Sequence, residues 1–331
     1  MIRLTWLQFR MQASAAAAAL AVIAVVLALT GPHLAHLYDV SGISVCQAHA
    51  DCASLSSRFL NQASAGFTDK FLLGFGNVVV AAPALVGIFW GAPLIARELE
   101  TGTYRLAWTQ AVTRTRWLAV KLGIVGVASV AAVGLLSLIL TWWFRPIDLV
   151  NMNRLTPSVF GERGVAPAGY AAFAFALGVT AGVLLRRTLP GIAVALAAFA
   201  ATRLAITYWV RPHLITPAQV TGKVVESLPG GALRLWPAAG PGGTVGVPVT
   251  ISKGAWIYSI QRADAAGQVV HPVLSSACRA IQACHAKYHQ VVSYQPASRF
   301  WAFQWRETAI FVALALILAG LSFWWLRRRL S

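Results

Sequence analysis

Six runs of mostly apolar residues constrain this chain more than any other feature of its sequence. They cover residues 11–31, 71–95, 121–144, 167–185, 189–210 and 308–326, and a helix needs about 20 such residues to cross a hydrocarbon core roughly 30 Å thick. Lipid offers no partner to a backbone N–H or C=O, so each run is expected as a helix whose hydrogen bonds close within itself. Composition agrees. Of 331 residues, 58% are hydrophobic and 11% charged, where a soluble domain carries about 25% charge. The expected fold is an all-α polytopic membrane protein, and a soluble enzyme is excluded.

Twenty-seven Lys and Arg against ten Asp and Glu give +17. In a soluble protein this would point to nucleic acid; here the distribution of the charge assigns it to topology, and no nucleic-acid partner is expected. With both termini cytoplasmic, the inner segments 1–10, 96–121, 186–190 and 327–331 hold 12 Lys and Arg in 46 residues, while the outer segments 32–70, 145–165 and 211–306 hold 14 in 156. Short basic loops stay inside. The expected location is the bacterial plasma membrane, multi-pass, with the 327–331 tail inside. Trp142, Trp143, Trp209, Trp301, Trp305, Trp324 and Trp325 fall at expected span ends, where aromatic rings favour the headgroup level. Cleavage of a signal peptide at Ala48-His49-Ala50 is the alternative for the N-terminus, but the apolar run is longer than a signal core and that site lies far downstream.

The outer segments divide into a first loop (32–70), a second loop (145–166) and a domain of about 95 residues (211–306), large enough to fold over an exit. Within the domain, 237–246 is a Gly/Pro-rich loop, Val247 to Ile251 and Trp256 to Ile260 are expected strands, and Pro272 to Tyr294 is an expected helix, giving a mixed α/β unit. Pro248 confines the first strand to an edge. Cys46 with Cys52, and Cys278 with Cys284, repeat a C-x5-C spacing on the oxidising side and are expected as two local disulfides; crossed pairing fits the spacing equally. Cys278, Cys284, His285 and His289 also have the types and spacing of a zinc site. The first cysteine pair lacks matching histidines, which favours disulfides, so no bound metal is expected.

Several chemistries are missing. No lysine sits in a Gly-x-x-x-x-Gly-Lys-Ser/Thr loop, and neither His-Glu-x-x-His nor Gly-x-Ser-x-Gly occurs, so the chain has no P-loop, metalloprotease or nucleophile-elbow signature. Ion-coupled carriers need ionisable groups at membrane depth, whereas the acidic residues lie outside the apolar runs, with Glu307 at an edge. Asn77, Arg203 and Thr207 are the candidate pathway residues. Arg203 either faces an anionic or amphipathic cargo or snorkels to the outer headgroups. Gly87 with Gly91, and Gly178 with Gly182, are G-x-x-x-G pairs that permit close helix approach.

The loop after the second run, 96–120, holds the only two acidic residues of the inner side, Glu98 and Glu100, beside Gly102 and an amphipathic stretch. With Phe-Trp-Gly-Ala-Pro (89–93), Ala-Arg-Glu-Leu-Glu-Thr-Gly-Thr (96–103), Thr-Gln-Ala-Val-Thr-Arg-Thr-Arg-Trp (109–117), Trp142-Trp143, Tyr-Ala-Ala-Phe-Ala-Phe-Ala-Leu-Gly-Val (170–179), Arg-Arg-Thr-Leu-Pro (186–190) and Trp-Val-Arg-Pro-His (209–213), the chain resembles the type-2 permeases of ATP-binding-cassette (ABC) transporters, in their GC-rich bacterial branch. The resemblance covers the chain to about residue 213 and resumes at the last span. It implies a six-span exporter subunit that pairs with a second permease, as a homodimer, and with separate ABC ATPase subunits that bind ATP and Mg; this chain binds no cofactor and has no catalytic residue. By position, Arg97, Glu98, Glu100, Gly102, Thr103, Tyr104 and Arg105 would form the coupling-helix contact with the ATPase. Ala111 departs from relatives that carry Pro or Ser there. Residues 1–10 would form an amphipathic connecting helix, with Ile2, Trp6 and Phe9 on one face and Arg3 and Arg10 at lipid phosphates. The rival readings are a membrane-anchored sensor or immunity protein with a ligand-binding outer domain, and an intramembrane enzyme.

The topology is tested by cysteines introduced at Thr109 and Ser331. Both should resist an impermeant thiol reagent in intact cells, and labelling at either position would overturn the assignment.

Overall fold

Apolar runs that outlast the hydrocarbon core continue as helix in this protein instead of breaking at its surface. The computed structural model describes residues 2–46, 53–63, 67–102, 113–151, 154–228, 232–237, 249–251, 254–263 and 289–329. The long helices are α1 (Ile2–Val40), α4 (Phe67–Thr101), α5 (Arg114–Trp143), α8 (Ala166–Leu185), α9 (Thr188–Ala205) and α10 (Phe300–Arg329); short helices α2 (Ile43–Cys46), α3 (Ala53–Ala63), α6 (Arg145–Asn151) and α7 (Pro157–Phe160) lie between them. Among the described residues, six segments are long and apolar enough to cross a membrane. The chain is a multi-pass membrane protein.

The expected boundaries shift in two places. The connecting helix expected over residues 1–10 is not a separate element: α1 runs unbroken through 39 residues, about 58 Å at 1.5 Å per residue, and passes Pro32 without ending. Much of the expected first loop is helix as well, in the end of α1, α2, α3 and the start of α4. Phe9 also leaves the face proposed for it. Ile2 and Trp6 are exposed, while Phe9 is buried with its ring edge-on to Trp90 at 4.7 Å.

α8 is the hub. Of its span 72% is buried, against 6% for α1. The reason lies in the glycine pairs, which face each other across the α4/α8 contact. A Cβ added at Gly91 would lie 2.5 Å from the Phe175 carbonyl oxygen, and one at Gly87 2.6 Å from the Ala174 Cβ. In return, a Cβ at Gly178 would lie 3.0 Å from the Ala92 nitrogen and one at Gly182 2.8 Å from its carbonyl oxygen. The two backbones therefore touch, and dispersion replaces the hydrophobic drive that lipid cannot supply. Around this seam, Tyr170 and Phe173 of α8 pack on Phe311 of α10 and Phe199 of α9, and α1 packs on α5 through Leu27, Leu136 and Leu140.

The tight turn expected between the fourth and fifth spans is two residues long. Arg186, at φ 54°, ends α8 in the left-handed conformation, and Arg187 precedes α9. Phe9, Ile95, Trp117, Val183 and Leu326 share one cluster, so the start of α1 and the end of α10 lie at the same end of the bundle. Trp6 and Trp324 are exposed at that end, and Trp142, Trp209, Trp301 and Trp305 at the other. Trp143 turns inward instead and donates its indole N–H to the Thr30 hydroxyl at 2.9 Å.

Between α9 and α10 stands a five-stranded antiparallel sheet of order β3-β2-β1-β5-β4, formed by β1 (Ala218–Leu228), β2 (Ala232–Pro237), β3 (Val249–Ile251), β4 (Trp256–Ala263) and β5 (His289–Gln295). Strands were expected over β3 and β4. The helix expected over 272–294 is corrected where it is described: His289–Gln295 is a strand, because its Val, Tyr and Gln residues pair with both β1 and β4. Residues 272–288 lie outside the described residues, with Cys278, Cys284 and His285; so does Cys52, while Cys46 closes α2. The sheet is fastened to the bundle at its base. Gln295 donates to the Ile215 carbonyl at 2.7 Å, Arg299 to the Thr216 carbonyl at 2.7 Å, and Arg306 to the Leu214 carbonyl.

The glycine seam makes a direct prediction. Gly91→Leu forces a side chain into the Phe175 backbone and should cost about 1–3 kcal/mol or more, read as a lower melting temperature in detergent. Gly123→Leu, whose site has no neighbour within 4 Å of an added Cβ, should melt like the parent.

Candidate functional site

Polar side chains are scarce in this bundle and gather at its two ends. At the end shared by the termini, the last turns of α4 carry two carboxylates, and each fastens α4 to a different neighbour. Glu98 forms an ion pair with Lys121 of α5 and accepts from the Gln8 amide of α1 at 3.1 Å. The Lys121 side chain is almost fully buried, with its ammonium 4.9 Å from the centre of the Trp117 ring. Removing either partner would strand a buried charge, so the pair fixes where α5 meets α4.

Glu100 works on a helix terminus. One carboxylate oxygen accepts the Thr188 backbone N–H at 2.8 Å and the other its hydroxyl at 2.7 Å. Thr188 opens α9, and Arg187 before it supplies no side-chain cap; Glu100 answers an orphan donor at the positive end of the helix dipole from another helix. Gly102 then turns the chain at φ +71° with no atom within 4 Å of an added Cβ, a conformation that only glycine enters freely. Thr113 reopens the chain as the N-cap of α5, accepting from the Arg116 N–H at 3.4 Å. Thr103, Tyr104 and Arg105 lie outside the described residues.

The opposite end holds an ion pair that the sequence did not announce. α9 loosens into a π-helical turn, Ile206–Val210, and a 3₁₀ turn, Arg211–His213, and this carries Arg211 inward. Its guanidinium grips Glu307 of α10 at 2.7 and 2.9 Å, both side chains completely buried. Glu307 also accepts from the Tyr170 hydroxyl at 2.5 Å. Glu307, expected at the edge of the last apolar run, is the eighth residue of the 30-residue helix α10 and is completely buried. The hint available was charge arithmetic, one acid beside the last apolar run and arginines at the end of the fifth. What sequence could not give was the π turn that points Arg211 at it.

Arg203 completes this cluster. Its guanidinium lies over the Tyr170 ring, 3.6 Å from the centroid, at a distance that identifies cation–π contact. The side chain is half-buried and reaches toward Gly161, in the connection before α8. Thr207 is buried one turn further on. The side chain of Asn77 lies outside the described residues. Nearby, the Gln304 carbonyl caps α8 by accepting from the Val165 and Ala166 N–H groups at 3.0 and 2.7 Å, while its amide donates to the Phe160 carbonyl at 3.0 Å. Asp148 meets Arg163 and, at 3.4 Å, Arg154. Burial raises the neighbouring Glu162 carboxyl to about 7, Arg163 opposing and Asp148 adding to the shift.

A family model described as ABC-2 membrane transporter related matches residues 17–211, from the first span to the turn that delivers Arg211. The chain belongs to that family. It is a membrane transporter permease, in line with the resemblance carried by the motifs that follow its second apolar run. No curated protein and no solved structure matches the chain. Both clusters are built partly from the family's region and partly from outside it. Glu98, Lys121, Glu100 and Thr188 lie within the match, as do Tyr170, Arg203 and Arg211, whereas Gln8 precedes it and Glu307 follows it. In this ABC-2 permease the last span is thus locked to the matched region by a buried charge.

That lock is measurable. Glu307→Ala strands Arg211 and should destabilise the protein by about 3–5 kcal/mol, seen as a fall in melting temperature; adding Arg211→Met should restore part of the loss.

Proposed function

We infer that this chain is the pathway-forming subunit of an ATP-driven ABC exporter, and that a separate ABC ATPase binds ATP and Mg and does the hydrolysis. Beyond family membership, one observation carries the inference: α4 is fastened to four other long helices, three of them through its final turns at one end of the bundle. Glu98 ties α4 to α1 and α5, Glu100 ties it to α9, and the glycine seam ties it to α8. A push delivered just beyond Gly102 therefore reaches most of the bundle at once. Packed helices answer such a push by shifting between discrete arrangements, not by bending continuously.

On this reading Gly102, Thr103, Tyr104 and Arg105 form the coupling-helix contact with the ATPase on the cytoplasmic side, and Glu98 and Glu100 transmit the motion. α8 fills the centre of the bundle, so one copy has little interior to conduct a substrate. A second copy, in a homodimer, would complete the pathway between protomers. The sparse polar lining of the spans suits an amphipathic cargo, and the sheet beyond α9 stands at the exit.

The test is purification of the tagged full chain from its native host in detergent. A near-stoichiometric P-loop ATPase should accompany it. Arg105→Glu should reduce that ATPase severalfold, whereas Glu98→Gln should keep it bound but lower its hydrolysis, because the brace and not the contact is altered. A chain that purifies alone, with no nucleotide hydrolysis, would overturn the proposal.

A further inference from the structure

Between α1 and α4, at the end of the bundle that holds the termini, a groove of about 390 Å³ is lined by Gln8, Phe9, Gln12, Trp90, Pro93, Leu94, Arg97, Glu98 and Thr101. We propose that this groove binds one acidic phospholipid, with its phosphate at Arg97 and an acyl chain along Trp90, Pro93 and Leu94. The volume falls within the roughly 300–1,000 Å³ of ordinary small-molecule sites.

Three features choose this occupant. The first is charge. Glu98 is answered by buried Lys121, and among the described residues no carboxylate lies within ion-pair distance of Arg97, so the exposed guanidinium leaves the groove one positive charge in excess. Arginine presents a planar fork that matches phosphate oxygens in pairs.

The second is the order of the lining. Trp90, Pro93, Leu94, Arg97, Glu98 and Thr101 lie on one face of α4, since they recur at three- and four-residue intervals. The apolar members are half-buried and come first; Arg97 and Thr101 are exposed and come last. Gln8 and Gln12 add exposed amides on the α1 side. A ligand lying along α4 therefore meets an apolar floor and then a cationic, hydrogen-bonding mouth.

The third is length. Trp90 to Arg97 spans about 10 Å of helix axis at 1.5 Å per residue, within half of a hydrocarbon core roughly 30 Å thick, and Thr101 extends the groove to the headgroup level. The apolar floor thus fits within the depth of a single leaflet. An amphiphile anchored at the headgroup level fits this gradient, while a free anion would leave the apolar floor uncovered and a polar peptide would leave it unmatched. A lipid seated there would bridge α1 and α4 beside the Glu98 brace. Its headgroup would then act on the same end of α4 that the preceding section assigns to coupling, though binding itself needs no ATPase.

The test uses the full permease without any ATPase, delipidated in detergent and placed in nanodiscs of phosphatidylcholine containing a minor fraction of phosphatidylglycerol. Native mass spectrometry should find one phosphatidylglycerol retained per chain in preference to phosphatidylcholine. Arg97→Glu should cut that retention about tenfold, the effect of losing one charge-assisted contact. Gln12→Trp, which crowds the groove without changing charge, should cut it as well. Arg327→Glu makes the same charge change on an exposed arginine at the same end and should leave retention intact. Equal loss in Arg97→Glu and Arg327→Glu would reveal diffuse attraction and overturn the site. So would equal retention of phosphatidylcholine, or displacement of the lipid by millimolar inorganic phosphate alone. Because the readout is lipid on the isolated permease, its failure is separable from a failure to recruit an ATPase.

Discussion

Backbone contact between α4 and α8 is the constraint on which the rest of this structure depends. In lipid an apolar side chain gains little by leaving its surroundings, so helices associate where shape allows many short contacts. Gly87, Gly91, Gly178 and Gly182 remove the side chains that would hold the two helices apart. With the seam closed, α8 is enclosed on most of its surface, and α9, α10 and α5 find their places around it. α1, by contrast, is a peripheral helix held by Leu27, Thr30 and Gly31 against α5 and by Phe9 against α4.

Polar chemistry supplies the direction that the seam lacks. Two of the bundle's helix N-termini are capped from a distance: α9 by Glu100 of α4, and α8 by Gln304 of α10. Side chains of different helices thus satisfy orphan donors, in a buried setting at Ala166 and an exposed one at Thr188. Each end also has an ion pair, Glu98 with Lys121 and Glu307 with Arg211, whose breaking would strand a charge where solvation is poor. A bundle tied at both ends and packed in the middle can move as a unit.

The six spans, the two-residue hairpin and the family were legible because each depends on local pattern: length of an apolar run, arginines in a short turn, and motifs within residues 89–117 and 170–190. Arg97, Glu98 and Glu100, expected on the loop 96–120, lie instead in the last turns of α4, and their division of labour was not visible. Lys121, 23 residues from Glu98, and Thr188, 88 residues from Glu100, become partners only when three helices converge. The His289–Gln295 segment failed for a related reason. Val291, Val292 and Tyr294 suit a strand, but a seven-residue run shows this only weakly until it pairs with β1 and β4 on both sides.

By itself, then, the sequence determined that this protein has six segments long and apolar enough to cross a membrane, where its glycines allow close approach, and that two carboxylates follow the second apolar run. These follow from hydrophobicity and chain geometry over a few turns. Only the tertiary structure decided that Glu307 lies buried against Arg211, that Arg203 stacks on Tyr170, and that Arg97 is left exposed in a groove while Glu98 beside it pairs with buried Lys121. Those outcomes depend on a π turn of five residues and on the rotation of one helix against another, and a single residue's register reverses which side chain faces inward.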